Sequence, residues 1–149
     1  AYNTSLEKVI NSYLLYRKKY YPALMAKAKY YFPMFEQYLD QYDIPLEMKY
    51  LAIVESALRP KIKSRVGATG LWQFMYGTGK QFDLKVSSYV DERQDPVKAT
   101  VAACKYLSQL FTIFGVSLKH SSSTDTLILA IVRGSLALII STILLHIMK

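Results

Sequence analysis

One acid in this chain stands where carboxylates are rarely comfortable. Glu55 lies near the end of an apolar run that opens at Pro45 and continues through Leu46, Tyr50, Leu51, Ile53, Val54 and Ala57. The spacing predicts a largely buried helix, with Pro45 at its first position, where a missing N–H costs nothing. Burial disfavours the charged form of Glu55, and the negative end of a helix dipole acts in the same direction. A general acid working near neutral pH needs such a raised pKa. Glu47, in the first turn of the same helix, is the contrast, because there the dipole favours the anion. Helix and burial alone leave Glu55 two roles: a general acid, or a helix-end glutamate that reaches solvent or a lysine.

Other reactive groups are sparse. His120 and His146 lie far from any other plausible ligand, so no metal site and no cofactor are expected. Cys104 is the only cysteine and falls on an apolar helical face, which suits a buried core thiol. Gly77-Thr78-Gly79-Lys80 invites comparison with a phosphate-binding loop, but Phe74 stands where the first Gly is required and Gln81 where Ser or Thr is required. Arg59, Lys61, Lys63 and Arg65 crowd one short loop after Glu55. They read as a solvated basic loop, as a rim that attracts an anionic polymer, or as both.

The residues after Glu55 carry a longer pattern. Glu55-Ser56 is followed by Ser64 and then by Gly67-Ala68-Thr69-Gly70-Leu71-Trp72-Gln73, continuing into Phe74-Met75; Ser64 lies nine residues after Glu55 and Gln73 eighteen. This resembles the lysozyme-like domain of lytic murein transglycosylases, in particular the membrane-bound D type, over roughly residues 13–115. Several separated positions agree at once, so the match is specific. It implies that Glu55 is the catalytic acid and that Ser64, Gln73 and Met75 line the sugar cleft. Trp72 either packs beneath that cleft or belongs to the core. The implied reaction cuts the β-1,4 bond between N-acetylmuramic acid and N-acetylglucosamine and leaves a 1,6-anhydro ring, with peptidoglycan strands as partner. The implied location is the bacterial cell envelope, in the periplasm or at the outer membrane.

The elements that must hold these residues are helical. Thr4-Ser5-Leu6-Glu7 has the form of a capping box, and apolar residues recur at helical spacing from Leu6 to Leu24. Pro22 is expected to kink or end that helix, and a second is expected over residues 33–42. Tyrosines and lysines between Tyr13 and Tyr31 fit an amphipathic helix better than a nucleic-acid surface, and no nucleic-acid partner is expected. Gly67 and Gly70 are expected to allow close backbone approach where the loop enters a helix carrying Leu71 to Met75. Asp91-Glu92-Arg93-Gln94-Asp95-Pro96 resembles the family's link, with Asp91 and Glu92 structural, Asp95 an N-cap and Pro96 the first helical residue. The helix that follows is expected to reach Gly115. No alternating stretch is long enough to build a sheet, so the reading is all-α: a lysozyme-like, goose-type helical domain, incomplete at its C-terminal end. Its parts are a helical lead-in over residues 1–44, the core over residues 45–115, and an atypical linker and tail over residues 116–149.

The tail differs in composition. All twenty aromatic residues lie before Gly115, and residues 126–148 are apolar except for Arg133, His146 and a few hydroxyls. Length permits a membrane contact through this segment, while Arg133 and the lack of interfacial Trp or Tyr oppose a span. The resemblance implies an Ala-Tyr-Asn motif in this region, whose tyrosine bonds the catalytic Glu, and residues 116–149 lack it. A membrane anchor, a substitute buried helix and a tail translated in the wrong frame all fit, and the abruptness of the change favours the third. The chain as written is therefore expected to be poorly stable and weakly active, with the alternative of a wall-binding or membrane-tethered module of the same fold. Replacing everything after Gly115 with a family-type segment is expected to restore stability and cleavage, as read by melting and product release.

The net charge of +8 and a pI near 9.5 agree with an anionic partner, and 149 residues are enough for one core. No signal peptide opens the chain; Ala1-Tyr2-Asn3 looks like the start of an excised piece.

Overall fold

The structure, a computed structural model, describes residues 20–113. The expected first helix up to residue 19 and the whole tail after residue 113, including the candidate membrane segment, lie outside them. Helices account for all regular structure among the described residues, with three isolated bridges and no strand. No helix among them is long and apolar enough to cross a membrane.

Helix α1 spans Tyr21–Gln41. Pro22 sits in its first turn, where no N–H is required, and so begins this helix. The second helix expected from Pro33 is instead a continuation of α1, with Pro33 inside it. Pro33 and Lys29 are both exposed, so water can serve the carbonyl that loses its partner. Burial on either side holds the two halves together: Ala28, Phe35 and Leu39 form one stripe against the core. α1 ends at Gln41, and two residues on Asp43 turns left-handed with a φ of 54°, with Ile44 N–H donating to the Leu39 carbonyl at 2.9 Å.

The Glu55 helix departs from expectation twice. It is a 3-10 turn over Leu46–Tyr50 followed by a short α2 over Leu51–Ser56, and it is not largely buried. Met48, Ala52 and Ser56 face the core, while Leu46, Tyr50 and Val54 are exposed. The described elements pack on one side of it only, so the apolar residues of the opposite side stay open.

After α2 the chain forms an irregular loop to Met75, then α3 over Tyr76–Gln81 and α4 over Pro96–Ile113. The expected helix through Leu71 to Met75 is absent. Gly67, Gly70 and Gln73 all have left-handed φ, and Thr69 exchanges backbone hydrogen bonds with Phe74, so the segment folds as a tight double turn. That turn drives Leu71, Trp72 and Phe74 into the core, and the basic residues 59, 61, 63 and 65 stay exposed. α4 is capped as its sequence predicts: the Asp95 carboxylate accepts from Val97 N–H and Lys98 N–H, each at 2.9 Å. Its inner face presents Ala99, Ala102, Ala103, Cys104 and Leu107. Burial pushes the Cys104 thiol up to about 12, so it remains a protonated core group.

Candidate active site

Glu55 is the penultimate residue of α2 and half-buried. The helix ends because Ala57 and Leu58 turn left-handed, with φ of 50° and 54°. Such backbone costs a non-glycine residue about 1–2 kcal/mol, and the complete burial of Leu58 in the core offsets it. Ala57 N–H donates to the Ile53 carbonyl at 2.8 Å and the Ser56 hydroxyl to the Ala52 carbonyl at 2.9 Å. These bonds fix the end of the helix without using the Glu55 carboxyl, which has no hydrogen-bond or ion-pair partner among the described residues. Burial pushes Glu55 from 4.5 up to about 7.

A pH dependence follows. Between about 4.5 and 7 the folded chain holds a proton on Glu55 that the unfolded chain has released. The stabilisation is complete below 4.5 and lost as pH rises through 7. Because the group is partly open to water, the expected loss is on the order of 1–3 kcal/mol. Melting temperature is expected to fall across this window, and a Glu55→Gln variant to lack that part of the fall.

The loop places the other candidates. Ser64 closes a local turn: its hydroxyl accepts from Ala68 N–H at 3.0 Å, and its own N–H donates to the Ala68 carbonyl at 2.8 Å. Gln73 donates its side-chain N–H to the Gly70 carbonyl at 2.8 Å and to the Ile62 carbonyl at 3.5 Å. The same Ile62 carbonyl accepts from Gly70 N–H at 2.9 Å, so the stretches on either side of Ser64 are stitched together. Met75 is exposed at the mouth of α3. Trp72, read either as a cleft residue or as core, is 8% exposed; its ring packs on Phe35 at 5.1 Å and its Nε1–H donates to the Thr100 hydroxyl at 3.0 Å. It links α1 to α4 through the core. Among the described residues no group of three or more His, Cys, Asp or Glu is placed to hold a metal ion.

Asp91 and Glu92 have structural partners. Glu92 accepts from Lys85 N–H at 2.7 Å and pairs with Lys98 at 2.5 Å. Asp91 pairs with Arg93 at 2.7 Å, and that guanidinium holds its carboxyl below the usual carboxylate range. Arg93 is what sequence reasoning missed. It is buried, and its Nη1 donates to the Gly67 carbonyl at 3.1 Å and to the Phe74 carbonyl at 3.2 Å, at the two ends of the double turn. The same turn is pressed from the other side, because a Cβ on Gly70 would lie 1.8 Å from the Arg93 carbonyl oxygen. Close approach therefore explains Gly70. Gly67 has open space around it and is required only for its φ of 92°.

A buried arginine, held by the half-buried Asp91, thus fixes the loop that bears Gln73 and Met75, and that loop joins directly to the turn after Glu55. The family model for the Transglycosylase SLT domain matches residues 33–130. The chain belongs to that family. The match begins inside α1 and runs past Gly115. Membrane-bound lytic murein transglycosylase D of Escherichia coli (strain K12) is 32% identical over 100 residues, which make up 67% of this chain and 22% of that protein. Soluble lytic murein transglycosylase of the same strain is 34% identical over 98 residues, 62% of this chain and 15% of that one. A putative tributyltin chloride resistance protein of Alteromonas sp. (strain M-1) is 25% identical over 120 residues, 80% of this chain and 55% of it. The crystal structure of the 70 kDa soluble lytic transglycosylase from Escherichia coli aligns with a TM-score of 0.47 at 34% identity, covering 56% of this chain and 14% of that one. The SLT chain described here thus spans about a fifth of the length of the membrane-bound relative.

Proposed function

We propose that this SLT domain cleaves the β-1,4 bond between N-acetylmuramic acid and N-acetylglucosamine in peptidoglycan, with Glu55 as the only acid/base. The observation that carries the reading is a half-buried carboxyl, raised to about 7, with no ion-pair partner among the described residues, at the family's acid position. Protonated Glu55 gives its proton to the leaving glycosidic oxygen. The resulting carboxylate takes the proton of the muramoyl 6-hydroxyl as that oxygen attacks the anomeric carbon, closing a 1,6-anhydro ring. No water is consumed and Glu55 ends protonated. Ordinary glycosidases need two carboxylates. Here the intramolecular hydroxyl and the substrate's own acetamido group take the second acid's part, consistent with Asp91 and Glu92 being held in ion pairs. Ser64, Gln73 and Met75 line the sugar cleft, and Trp72 supports it from the core side. The setting is the bacterial cell envelope, with the glycan strand as partner, and the exposed cations of residues 59–65 face that wall.

Incubation with purified peptidoglycan tests this. Soluble anhydro-muropeptides support the reading. Binding without products favours a wall-binding module of the same fold, and neither binding nor products rejects both.

A further inference from the structure

An open pocket of about 450 Å³ lies between α1 and the turn that follows Glu55. Lys27, Tyr31, Arg59 and Lys61 line it over Leu58 and Ile62, and among the described residues no acid does. Two of its cations are pre-positioned. The Arg59 Nε–H donates to the Ser56 carbonyl at 3.3 Å, which holds the guanidinium while its two Nη groups have no partner among the described residues. Lys27 donates to the Ala57 carbonyl at 3.5 Å, tying α1 to the same turn. The Lys61 ammonium has no partner among the described residues.

A held guanidinium with a free fork matches a carboxylate in bidentate fashion. The apolar floor and the Tyr31 ring suit aliphatic peptide atoms, and a concavity of this size suits a few residues better than a flat lipid surface. Position narrows the choice further. Arg59 is four residues after Glu55, so their Cα atoms lie within about 14 Å, a distance a short peptide spans. We propose that this pocket binds a carboxylate of the peptide carried by the glycan strand, as a second hold on the substrate beside the acid. The proposal rests on the peptidoglycan reading above.

Equilibrium binding by the full chain carrying Glu55→Gln tests it, with soluble glycan strands that keep their peptides and with strands stripped of peptide by an amidase and then amidated at the lactyl carboxylates so freed. Peptide-bearing strands are expected to bind about tenfold tighter, the factor of one charge-assisted hydrogen bond. Adding Arg59→Gln and Lys61→Gln is expected to remove that difference, weakening peptide-bearing strands by about tenfold more than stripped ones, whereas Arg59→Lys keeps part of it. Equal affinity for the two strands overturns the proposal, as does an equal loss for both in the double variant, which would mark unspecific attraction. Variants that lose phosphatidylglycerol vesicles while keeping the strand preference would assign the pocket to lipid headgroups and also overturn it. Failure to bind either strand would reject the peptidoglycan reading itself, and the pocket's role with it.

Discussion

Glu55→Gln is expected to lower glycan cleavage by about 10²–10⁴-fold while leaving folding and wall binding nearly intact. The amide has the volume and hydrogen-bonding outline of the acid but can neither give nor take a proton. Glu55 makes no ion pair among the described residues, so the substitution strands no buried partner. Stability is expected to rise above pH 7, because burial keeps Glu55 at about 7 and the variant has no charge to bury. Loss of turnover without loss of stability is the combination that separates a catalytic acid from a structural one. Cleavage retained at more than about a tenth of the parent rate would return Glu55 to an ordinary helix-end glutamate.

Gly70→Ala carries the largest expected effect on the fold. The added Cβ would sit 1.8 Å from the Arg93 carbonyl oxygen and 2.8 Å from its carbon, at a φ of 87°. Both neighbours are backbone atoms, so no rotamer change relieves the overlap. Arg93 is itself fixed by Asp91 and by the Gly67 and Phe74 carbonyls, so its movement would break buried hydrogen bonds as well. A cost above about 4 kcal/mol is expected, against a whole margin of about 5–15 kcal/mol. The melting temperature should drop by roughly 15–30 °C, or the transition should vanish. Gly67→Ala is the internal control: it has the same kind of φ but open space, and is expected to cost only about 1–2 kcal/mol. Equal melting temperatures for the two variants would show that close approach at Gly70 is not what holds the loop.

Spacing alone singled out Glu55, Ser64 and Gln73 as candidates, and their roles rest on the proposal above. The Asp95-Pro96 helix start was legible because a cap is a local device, and the Asp95 carboxylate does accept from Val97 N–H and Lys98 N–H. Pro33 was misread as a helix start, since a local rule cannot see burial of Phe35 and Ala28 on both sides of it. Leu71 to Met75 were misread as helical because Gln73, inside that apolar run, and Gly70, just before it, both take a positive φ. The half-open face of Leu46, Tyr50 and Val54 depends on what packs there, which no periodicity states. Arg93 was missed for a related reason. Its two carbonyl partners lie 26 and 19 residues away, and nothing at the level of spacing joins them. The available signal was a lone arginine flanked by two acids in the family's link.

The most direct test of a single-acid transglycosylase is the mass of its chain ends after digestion of peptidoglycan in oxygen-18-labelled water. Both the chain as written and a form carrying the family-type segment after Gly115 are to be digested, so that a weak tail does not hide the chemistry. The expected products are 1,6-anhydromuramoyl ends, each lighter by one water than a reducing end and free of label, because the attacking oxygen comes from the sugar itself. Labelled reducing ends that increase in number as cleavage proceeds, beyond those present and exchanging in an enzyme-free control, would show that water is the nucleophile, contradict Glu55 as sole acid/base, and require a second carboxylate.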